Sequence, residues 1–463
     1  MHALTNATRT TVRLLGIAIA ALLALPGLAQ AGRGALTQQP GPAGCLSDSG
    51  SEPCTKSDLL AGAISVTVAK DGRNAYVALA DGHGVAALAR GKVSGGLTQL
   101  PSPLGCITQT GNAGLCTIGR GIYAPVSIAT SPDGRHVYVA SFQKDPVTLS
   151  SIAAFARDPN SGALAQLPGQ QGCISEDIPG GECAPGVGIR AASSITVSRD
   201  GKSVYVASPS DSVAVFARNA DTGALTQLPE PYGCISQSGS GGHCTQGRAL
   251  DGAAAVIVGK DGRFVYVASE LSRAVAVFAR DRSTGALTQP TGEGGCIAEN
   301  GTAEGCTDGV GLGGPRALVE SPSGRNVYVV SLATDQLAVL ARNRKTGALA
   351  HVQCLEDGGS IACDAVAAFS GSYSVAVSPD GRQVYVAAQG DRAVVALASD
   401  RKSGTLTQLP ALDGCISEDG SEGQCTDGRA LRTPRSVAIA KDGRHVYVAA
   451  QASKAVAVLQ RQR

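Results

Sequence analysis

The stretch that decides the fold runs from Ser374 to Pro410 and reads SVAVSPDGRQVYVAAQGDRAVVALASDRKSGTLTQLP. Short apolar runs alternate with turns rich in Gly, Asp and Ser, a pattern typical of consecutive antiparallel strands. Asp380-Gly381 separates the first two runs, and Asp-Gly is a strong hairpin signal because both turn residues tolerate positive φ. Gly404 marks a second hairpin. The stretch therefore predicts four strands in succession.

This unit recurs along the chain after residue 31. The tyrosine of its VYVA-type run stands at Tyr76, Tyr138, Tyr205, Tyr266, Tyr328, Tyr385 and Tyr447, with gaps of 62, 67, 61, 62, 57 and 62 residues. Seven four-stranded units predict an all-β, seven-bladed β-propeller. The last copy ends at Leu459, one strand short, and residues 34–38 match the missing fourth strand. The N-terminal strand is therefore expected to complete the last blade and close the ring, which hides both edge strands.

Residues 1–31 have the features of a cleaved export signal. Arg9 and Arg13 precede an apolar run from Leu14 to Leu25, and Ala29-Gln30-Ala31 forms a small-residue cleavage site. The run is too short to span a bilayer. Residues 32–463 are then expected to form one propeller, secreted or periplasmic, without a membrane span.

The charges of the chain are nearly balanced, with 39 Lys and Arg against 37 Asp and Glu. Without the predicted signal, which holds two arginines, the balance is complete. Net charge therefore offers no electrostatic reason to expect nucleic acid or an anionic membrane as a partner. Trp is absent and aromatic residues make up 3%, which weakens a role in stacking on oligosaccharides. A monomer is expected, and its partner is unknown.

The cysteines form seven pairs, one per repeat, each between the fourth strand of one blade and the first strand of the next. The pairs are Cys45/Cys54, Cys106/Cys116, Cys173/Cys183, Cys234/Cys244, Cys296/Cys306, Cys354/Cys363 and Cys415/Cys425. An even count at fixed spacing in an exported chain predicts one disulfide-closed loop per blade. Zinc would need closer spacing and a second ligand pair, so no metal or cofactor is predicted.

The motifs SPDGRxVYVAS and AVAVFARDxxTGALTQLP, in seven copies over residues 34–459, resemble the lactonase-type propellers. That family includes propeller-type 6-phosphogluconolactonases, carboxymuconate-lactonising enzymes and YVTN-repeat surface proteins. The resemblance implies the fold, and it implies lactone chemistry for the catalytic members, which use His, Glu or Arg around the channel. The same strand and turn motifs occur in members without activity, and the disulfide loops depart from the enzymes.

Departures from the repeat identify candidate site residues at the channel mouth on the disulfide side. Seven residues before the Asp of each Asp-Gly turn (Ser323 in the fifth repeat) stand Ile64, Val126, Ser193, Ala254, Arg316, Tyr373 and Arg435, and four residues after each repeat tyrosine stand Ala80, Phe142, Pro209, Glu270, Leu332, Gln389 and Gln451. Two guanidiniums suit a carboxylate or phosphate. Arg316, Tyr373, Gln389, Arg435 and Gln451 are therefore predicted to bind a ligand, with Glu270 as a candidate base. The alternative is that both arginines are solvated or pair with loop carboxylates.

Histidines and loop carboxylates are two further kinds of candidate functional group. Of the histidines, His83 and His243 reach the disulfide side, and neither has an evident orienting partner. Loop carboxylates could bind calcium, although they lack the spacing of an EF-hand; they are Glu176, Asp177, Glu182, Glu299, Glu304, Asp308, Glu418, Asp419, Glu422 and Asp427.

Two functional hypotheses follow. The first is an exported propeller that binds a small ligand or a protein through its disulfide-bearing face. The second is a lactone hydrolase or cyclase that acts on a small anionic substrate in the channel mouth, which requires Glu270, Arg316 and Arg435 to converge.

Overall fold

The structure, a computed structural model, describes residues 32–48, 53–57, 59–144, 149–176, 181–299, 301 and 305–463. The predicted export signal lies outside these residues. Residues Gly32–Arg463 form one compact unit that contains seven sheets, each built on consecutive antiparallel strands. The predicted seven-bladed propeller is confirmed. Within the described ranges, no helix has the length and apolar character needed to cross a bilayer.

Each blade has three long strands, which we number outward from the channel. The first strands are Ala63–Val68, Pro125–Thr130, Ser194–Val197, Ala253–Val258, Pro315–Glu320, Ser372–Val377 and Pro434–Ile439, in blades 1 to 7. The second strands are Asn74–Leu79, His136–Gln143, Ser203–Ser208, Phe264–Ser269, Asn326–Ser331, Gln383–Ala388 and His445–Ala450. The third strands are Gly84–Arg90, Leu149–Arg157, Ser212–Arg218, Ala274–Arg280, Gln336–Arg342, Ala393–Ser399 and Ala455–Arg461.

The outer part of each blade corrects the prediction of four simple strands. In blade 5 the fourth strand is continuous, Leu349–Asp357, and in the other six blades it is split into two parts. The parts are Leu97–Gln99 with Cys106–Thr108, Leu164–Gln166 with Cys173–Ser175, Leu225–Gln227 with Cys234–Ser236, Leu287–Thr288 with Cys296–Glu299, Leu406–Gln408 with Cys415–Ser417, and Leu36–Gln38 with Cys45–Ser47, in blades 1, 2, 3, 4, 6 and 7. A short fifth strand then pairs parallel to it: Thr117–Ile118, Ala184–Pro185, Thr245–Gln246, Thr307–Gly309, Asp364–Val366, Thr426–Asp427 and Thr55–Lys56. Single 3-10 turns lie at Gly41–Gly44, Asn112–Gly114, Gly169–Gly172, Gly239–Gly242, Glu293–Gly295, Ala411–Gly414 and Gly420–Gly423.

The seven predicted disulfides are confirmed, one in each blade. In every pair the Cα atoms lie 4.5 to 4.9 Å apart, and no cysteine of the described chain is free. The bonded pairs are Cys45–Cys54, Cys106–Cys116, Cys173–Cys183, Cys234–Cys244, Cys296–Cys306, Cys354–Cys363 and Cys415–Cys425.

The position of the second cysteine in each pair corrects the prediction of a simple loop between blades. Each of these cysteines directly precedes the fifth strand of the same blade as its partner; they are Cys54, Cys116, Cys183, Cys244, Cys306, Cys363 and Cys425. The bridge therefore holds the returning chain against its own blade before the chain enters the next one. A two-residue strand has too few backbone hydrogen bonds to hold itself, and the covalent bond supplies the constraint.

The N-terminal residues close the ring as predicted. Leu36 pairs with Arg461 and Cys45 pairs with Ala457, both on the third strand of blade 7. The fourth and fifth strands of blade 7 thus come from the start of the propeller, and its first three from the end. Apolar side chains of adjacent blades pack into seven interblade clusters. The second and third strands have side chains buried on both faces, because each blade stacks on two neighbours.

A ring of ion pairs, each between a buried arginine and a partly exposed aspartate, joins the blades at the Asp-Gly turns. Arg157 of blade 2 donates hydrogen bonds to the Tyr76 hydroxyl (2.7 Å) and to the Asp71 carboxylate (2.8 Å) of blade 1. The same pairing recurs as Asp71–Arg157, Asp133–Arg218, Asp200–Arg280, Asp261–Arg342, Asp380–Arg461 and Asp442–Arg90. The repeated tyrosine, turn aspartate and third-strand arginine therefore form one recurring contact between neighbouring blades.

The junction between blades 5 and 6 lacks both the aspartate and the arginine of this contact. Ser323 replaces the turn aspartate, and Ser399 replaces the arginine. The Tyr328 hydroxyl and the Ser399 hydroxyl lie 3.0 Å apart instead. Both charges are missing together, so neither a buried cation nor an unpaired carboxylate remains, and either would cost stability on its own.

Candidate functional site

A β-bulge sets the position from which Arg316, Tyr373 and Arg435 project. In blades 5, 6 and 7 the first strand slips by one residue against the second, between Pro315 and Ala317 and at the equivalent pairs. The extra residue of each bulge is the candidate itself. A bulge leaves one residue outside the ladder and redirects its side chain. Blades 1, 2 and 4 carry the same bulge with apolar residues at this position.

Two arginines lie against one tyrosine ring at this level of the channel. The Cζ atoms of Arg316 and Arg435 stand 4.7 and 4.5 Å from the centroid of the Tyr373 ring. Arg316 Nη2 also donates a hydrogen bond to the Tyr373 hydroxyl. Since both Cζ atoms are that close to one centroid, they are at most about 9 Å apart. Contact with the π face offsets part of the repulsion between the cations.

Most hydrogen-bond donors of the two guanidiniums have no acceptor among the described residues. Arg435 Nε donates to Gln451 Oε1 at 3.2 Å, which brings a fourth predicted residue into the group. Each guanidinium has five N–H donors. Within the described part of the chain, no carboxylate forms an ion pair with either arginine. All three bulge side chains are partly exposed. The Arg316–Tyr373–Arg435 cluster, as we call it, is therefore a concentration of positive charge with no carboxylate counter-ion in the described part of the chain.

The other two predicted residues, Gln389 and Glu270, follow second strands on the same rim, and no hydrogen bond or ion pair between described residues joins them to the cluster. Gln389 packs its side chain over Gly371, where an added Cβ would lie 2.7 Å from Gln389 Cγ. The backbone N–H of Glu270 donates to Gly252 O at 2.9 Å. No hydrogen bond or ion pair between described residues links the Glu270 carboxylate to Arg316 or Arg435. A catalytic role for Glu270 stays a prediction.

The histidines of the disulfide side have structural contacts. His83 Nδ1 accepts a hydrogen bond from the Ala124 N–H at 3.0 Å, and His243 Nδ1 lies 2.9 Å from Glu230 Oε1 at the surface. On the opposite rim, His136 and His445 contact Arg218 and Arg90 of the ion-pair ring (2.7 and 3.0 Å). Burial, followed by the adjacent arginine, lowers the pKa of His136 and of His445.

Three loop carboxylates weighed as calcium ligands have another use. Glu176, Glu299 and Glu418 each lie at the end of the outer half of a fourth strand and accept the backbone N–H of the residue 13 positions later, at distances of 2.5 to 3.0 Å. Each carboxylate therefore joins the outer strand to the chain segment that follows the disulfide loop. Across the described residues, no group of three or more His, Cys, Asp or Glu is arranged to hold a metal ion. Asp177 and Glu304 lie outside the described residues.

A scan against protein-family models matches the chain over residues 150–295, 237–363 and 311–463 to the family described as lactonase, 7-bladed beta-propeller. The chain belongs to this family. Solved structures with the lactonase propeller fold include the periplasmic gluconolactonase of Pseudomonas aeruginosa (TM-score 0.54, 20% identity, 81% of this chain and 88% of that one). A Bacteroides fragilis protein provisionally named as a 6-phosphogluconolactonase is also similar, with a TM-score of 0.53 and 18% identity over 86% of this chain and 91% of that one.

Similarity of fold extends to a protein with a different name. The hydrazine synthase of Kuenenia stuttgartiensis matches with a TM-score of 0.52, 18% identity, and 88% of this chain and 97% of that one. No curated protein matches the sequence. At these identities the similarity to solved structures shows the fold, and the chemistry has to be argued from the site.

Proposed function

We propose that this lactonase-family propeller is an exported protein that binds a small carboxylated or phosphorylated ligand at the channel mouth of its disulfide-bearing face. The observation that carries the proposal is the Arg316–Tyr373–Arg435 cluster, in which two guanidiniums share one ring and have no carboxylate partner among the described residues. An anion would accept hydrogen bonds from the remaining guanidinium donors, and such charge-assisted hydrogen bonds are stronger than those between neutral groups.

The two arginines also discriminate between ligands. A neutral ligand leaves two close cations uncompensated, whereas a carboxylate or phosphate accepts from both and reduces their mutual repulsion. The Tyr373 ring of blade 6 contacts Arg316 of blade 5 and Arg435 of blade 7 and so holds the two guanidiniums near each other. Gln451 fixes Arg435 by accepting its Nε–H, so the remaining Arg435 donors face away from that contact.

The test is isothermal titration calorimetry with citrate, gluconate, 6-phosphogluconate and inorganic phosphate. Arg316→Ala and Arg435→Ala should each weaken the tightest ligand by about 10- to 100-fold, since a hydrogen bond to a charged group contributes about 1.5–3 kcal/mol. Arg273→Ala, an exposed arginine of the same face, is the matched control and should bind like the wild type. Equal affinity in all four proteins would refute the proposal.

Lactone hydrolysis is the second candidate, and membership of the lactonase family favours it. In that case the cluster would bind the acidic group of the substrate, and Glu270 would activate water. Hydrolysis of a panel of small lactones should then be lost in both Glu270→Ala and Arg316→Ala. Binding of anions without turnover would keep the first function and exclude the second.

A further inference from the structure

Positive charge is concentrated on one face of the propeller, although the whole chain is balanced. Because strands one to four are antiparallel, the connections from first to second and from third to fourth strand emerge on the same face. We call this the turn face. It comprises residues 69–73, 131–135, 198–202, 259–263, 321–325, 378–382 and 440–444, residues 91–96, 158–163, 219–224, 281–286, 343–348 and 400–405, and the closing segments 32–35 and 462–463.

The turn face is strongly basic. Its connections contain 19 Lys and Arg against 10 Asp. Six of the ten aspartates are those of the ion-pair ring, each neutralised by a buried third-strand arginine that is not among the 19. Four exposed aspartates are left against the 19 cations, of which 17 are exposed.

Outside the turn face the balance of charge is reversed. Apart from buried Glu320, the remaining described acids number 21, and 12 Lys and Arg accompany them outside the ion-pair ring. They lie in the connections of the disulfide side and along the outer edge of the blades. The balanced net charge that argued against an anionic partner thus conceals a separation of charge by face.

The turn face is also level. Every connection from first to second strand has five residues, and every connection from third to fourth strand within blades 1 to 6 has six. Equal connections around a ring bring the cations to one height, so the face fits a planar anionic surface better than the disulfide face of a second copy, whose loops differ from blade to blade. Val93 is its single exposed large hydrophobic residue in the described structure, so contact would be electrostatic.

We propose that the turn face docks on an anionic lipid surface, with the phosphate groups of the lipids as the recognised chemistry. Lysines and arginines near such a surface each add to the attraction, which decays within a Debye length. The bound protein directs its disulfide face, with the Arg316–Tyr373–Arg435 cluster, away from the membrane. Binding is peripheral and reversible by salt.

The decisive variant reverses four exposed cations of neighbouring connections in blades 5 and 6: Arg344→Glu, Lys345→Glu, Arg401→Glu and Lys402→Glu. Their side chains take no part in any hydrogen bond or ion pair between described residues, so the fold should be kept. The control makes the same change of charge on the disulfide face with exposed residues: Lys56→Glu, Lys144→Glu, Arg190→Glu and Arg273→Glu. Unchanged thermal unfolding and circular dichroism verify both folds.

The assay is co-sedimentation with vesicles of phosphatidylcholine containing about one third phosphatidylglycerol, at about 50 and 500 mM NaCl. Wild type and control should sediment with these vesicles at low salt, and neither should do so at high salt or with pure phosphatidylcholine. The turn-face variant should bind at least about tenfold more weakly. Equal loss in variant and control, no binding by the wild type, or sedimentation without vesicles through self-association would each overturn the proposal.

Discussion

The ion-pair ring makes a sharp prediction, because one junction shows what the chain does without it. We consider the junction of blades 1 and 2, where Asp71→Ser with Arg157→Ser would reproduce the Ser323 and Ser399 arrangement. Asp71→Ser leaves a guanidinium whose side chain is 3% exposed without its counter-ion. Breaking a buried pair costs about 3–5 kcal/mol, and the lower end applies because Tyr76 and the Gly134 carbonyl still accept from Arg157.

Arg157→Ser has a different cost. The carboxylate of Asp71 is 36% exposed, so water can solvate it, and the loss comes from the arginine's hydrogen bonds at about 1 kcal/mol each and from its buried stem. We expect about 3 kcal/mol. In the double variant neither charge is left alone, and a serine at 157 can reach the Tyr76 hydroxyl as Ser399 reaches that of Tyr328. The expected loss is about 4 kcal/mol, which is a coupling of about 2 kcal/mol.

The assay is equilibrium unfolding in urea with the disulfides intact, followed by circular dichroism because the chain has no Trp. Arg73→Ser removes an exposed arginine from the same turn and should change the free energy of unfolding by less than about 0.5 kcal/mol. Single-variant losses that add up in the double variant to within about 0.5 kcal/mol would show that the charges act independently. The paired serines of blades 5 and 6 would then have no energetic meaning.

Three more predictions rest on single contacts. Burial alone would raise the pKa of Asp380, but hydrogen bonds from Ser378, Arg461 and the backbone lower it from 3.8 to about 2. The contribution of this carboxylate to stability is therefore complete above about pH 4 and is lost as the pH falls through 2. Asp380→Asn should lose less stability over that range than the wild type, and a parallel loss in both proteins would contradict this. Gly162→Ala forces a Cβ to 2.1 Å from Asn74 Nδ2 at φ +82, whereas the Cβ of Gly169→Ala, at φ +54, meets nothing within 4 Å. In urea unfolding the free energy of unfolding should fall by at least about 3 kcal/mol in the first variant and by about 1 kcal/mol in the second. Equal losses would show that the clash is not the cause. Gly32 N lies 2.6 Å from Asp413 Oδ2, so cleavage after Ala31 would create an ammonium–carboxylate pair; the intact mass of the exported protein should correspond to a start at Gly32, and any other start contradicts the assignment.

The repeat carries most of the fold. Seven copies of one unit, a missing last strand and a matching N-terminal segment are all visible as spacing, and each corresponds to a feature of the structure. The cysteine pairs could be predicted for the same reason. The fifth strands could not, because two residues such as Thr117–Ile118 show no periodicity, and their pairing depends on the covalent bond beside them.

Departures from the repeat at equivalent positions point to Arg316, Tyr373 and Arg435 as candidates, and the structure brings these three side chains together. Their role as a binding site stays a prediction. A one-residue shift in register does not visibly change the sequence pattern of a six-residue strand, so the bulge could not be predicted from the sequence. The ion-pair ring was missed although its members recur in nearly every copy. Its signal was present in the shared loss of charge at Ser323 and Ser399, which is meaningful once consecutive blades are known to touch there.

The most direct test of the central claim is a crystal structure of the protein soaked in the anion that binds most tightly in calorimetry. We expect density for its carboxylate or phosphate group within hydrogen-bond distance of the guanidiniums of both Arg316 and Arg435, beside the Tyr373 ring. An anion that occupies another part of the propeller while these two guanidiniums stay unliganded would contradict this expectation.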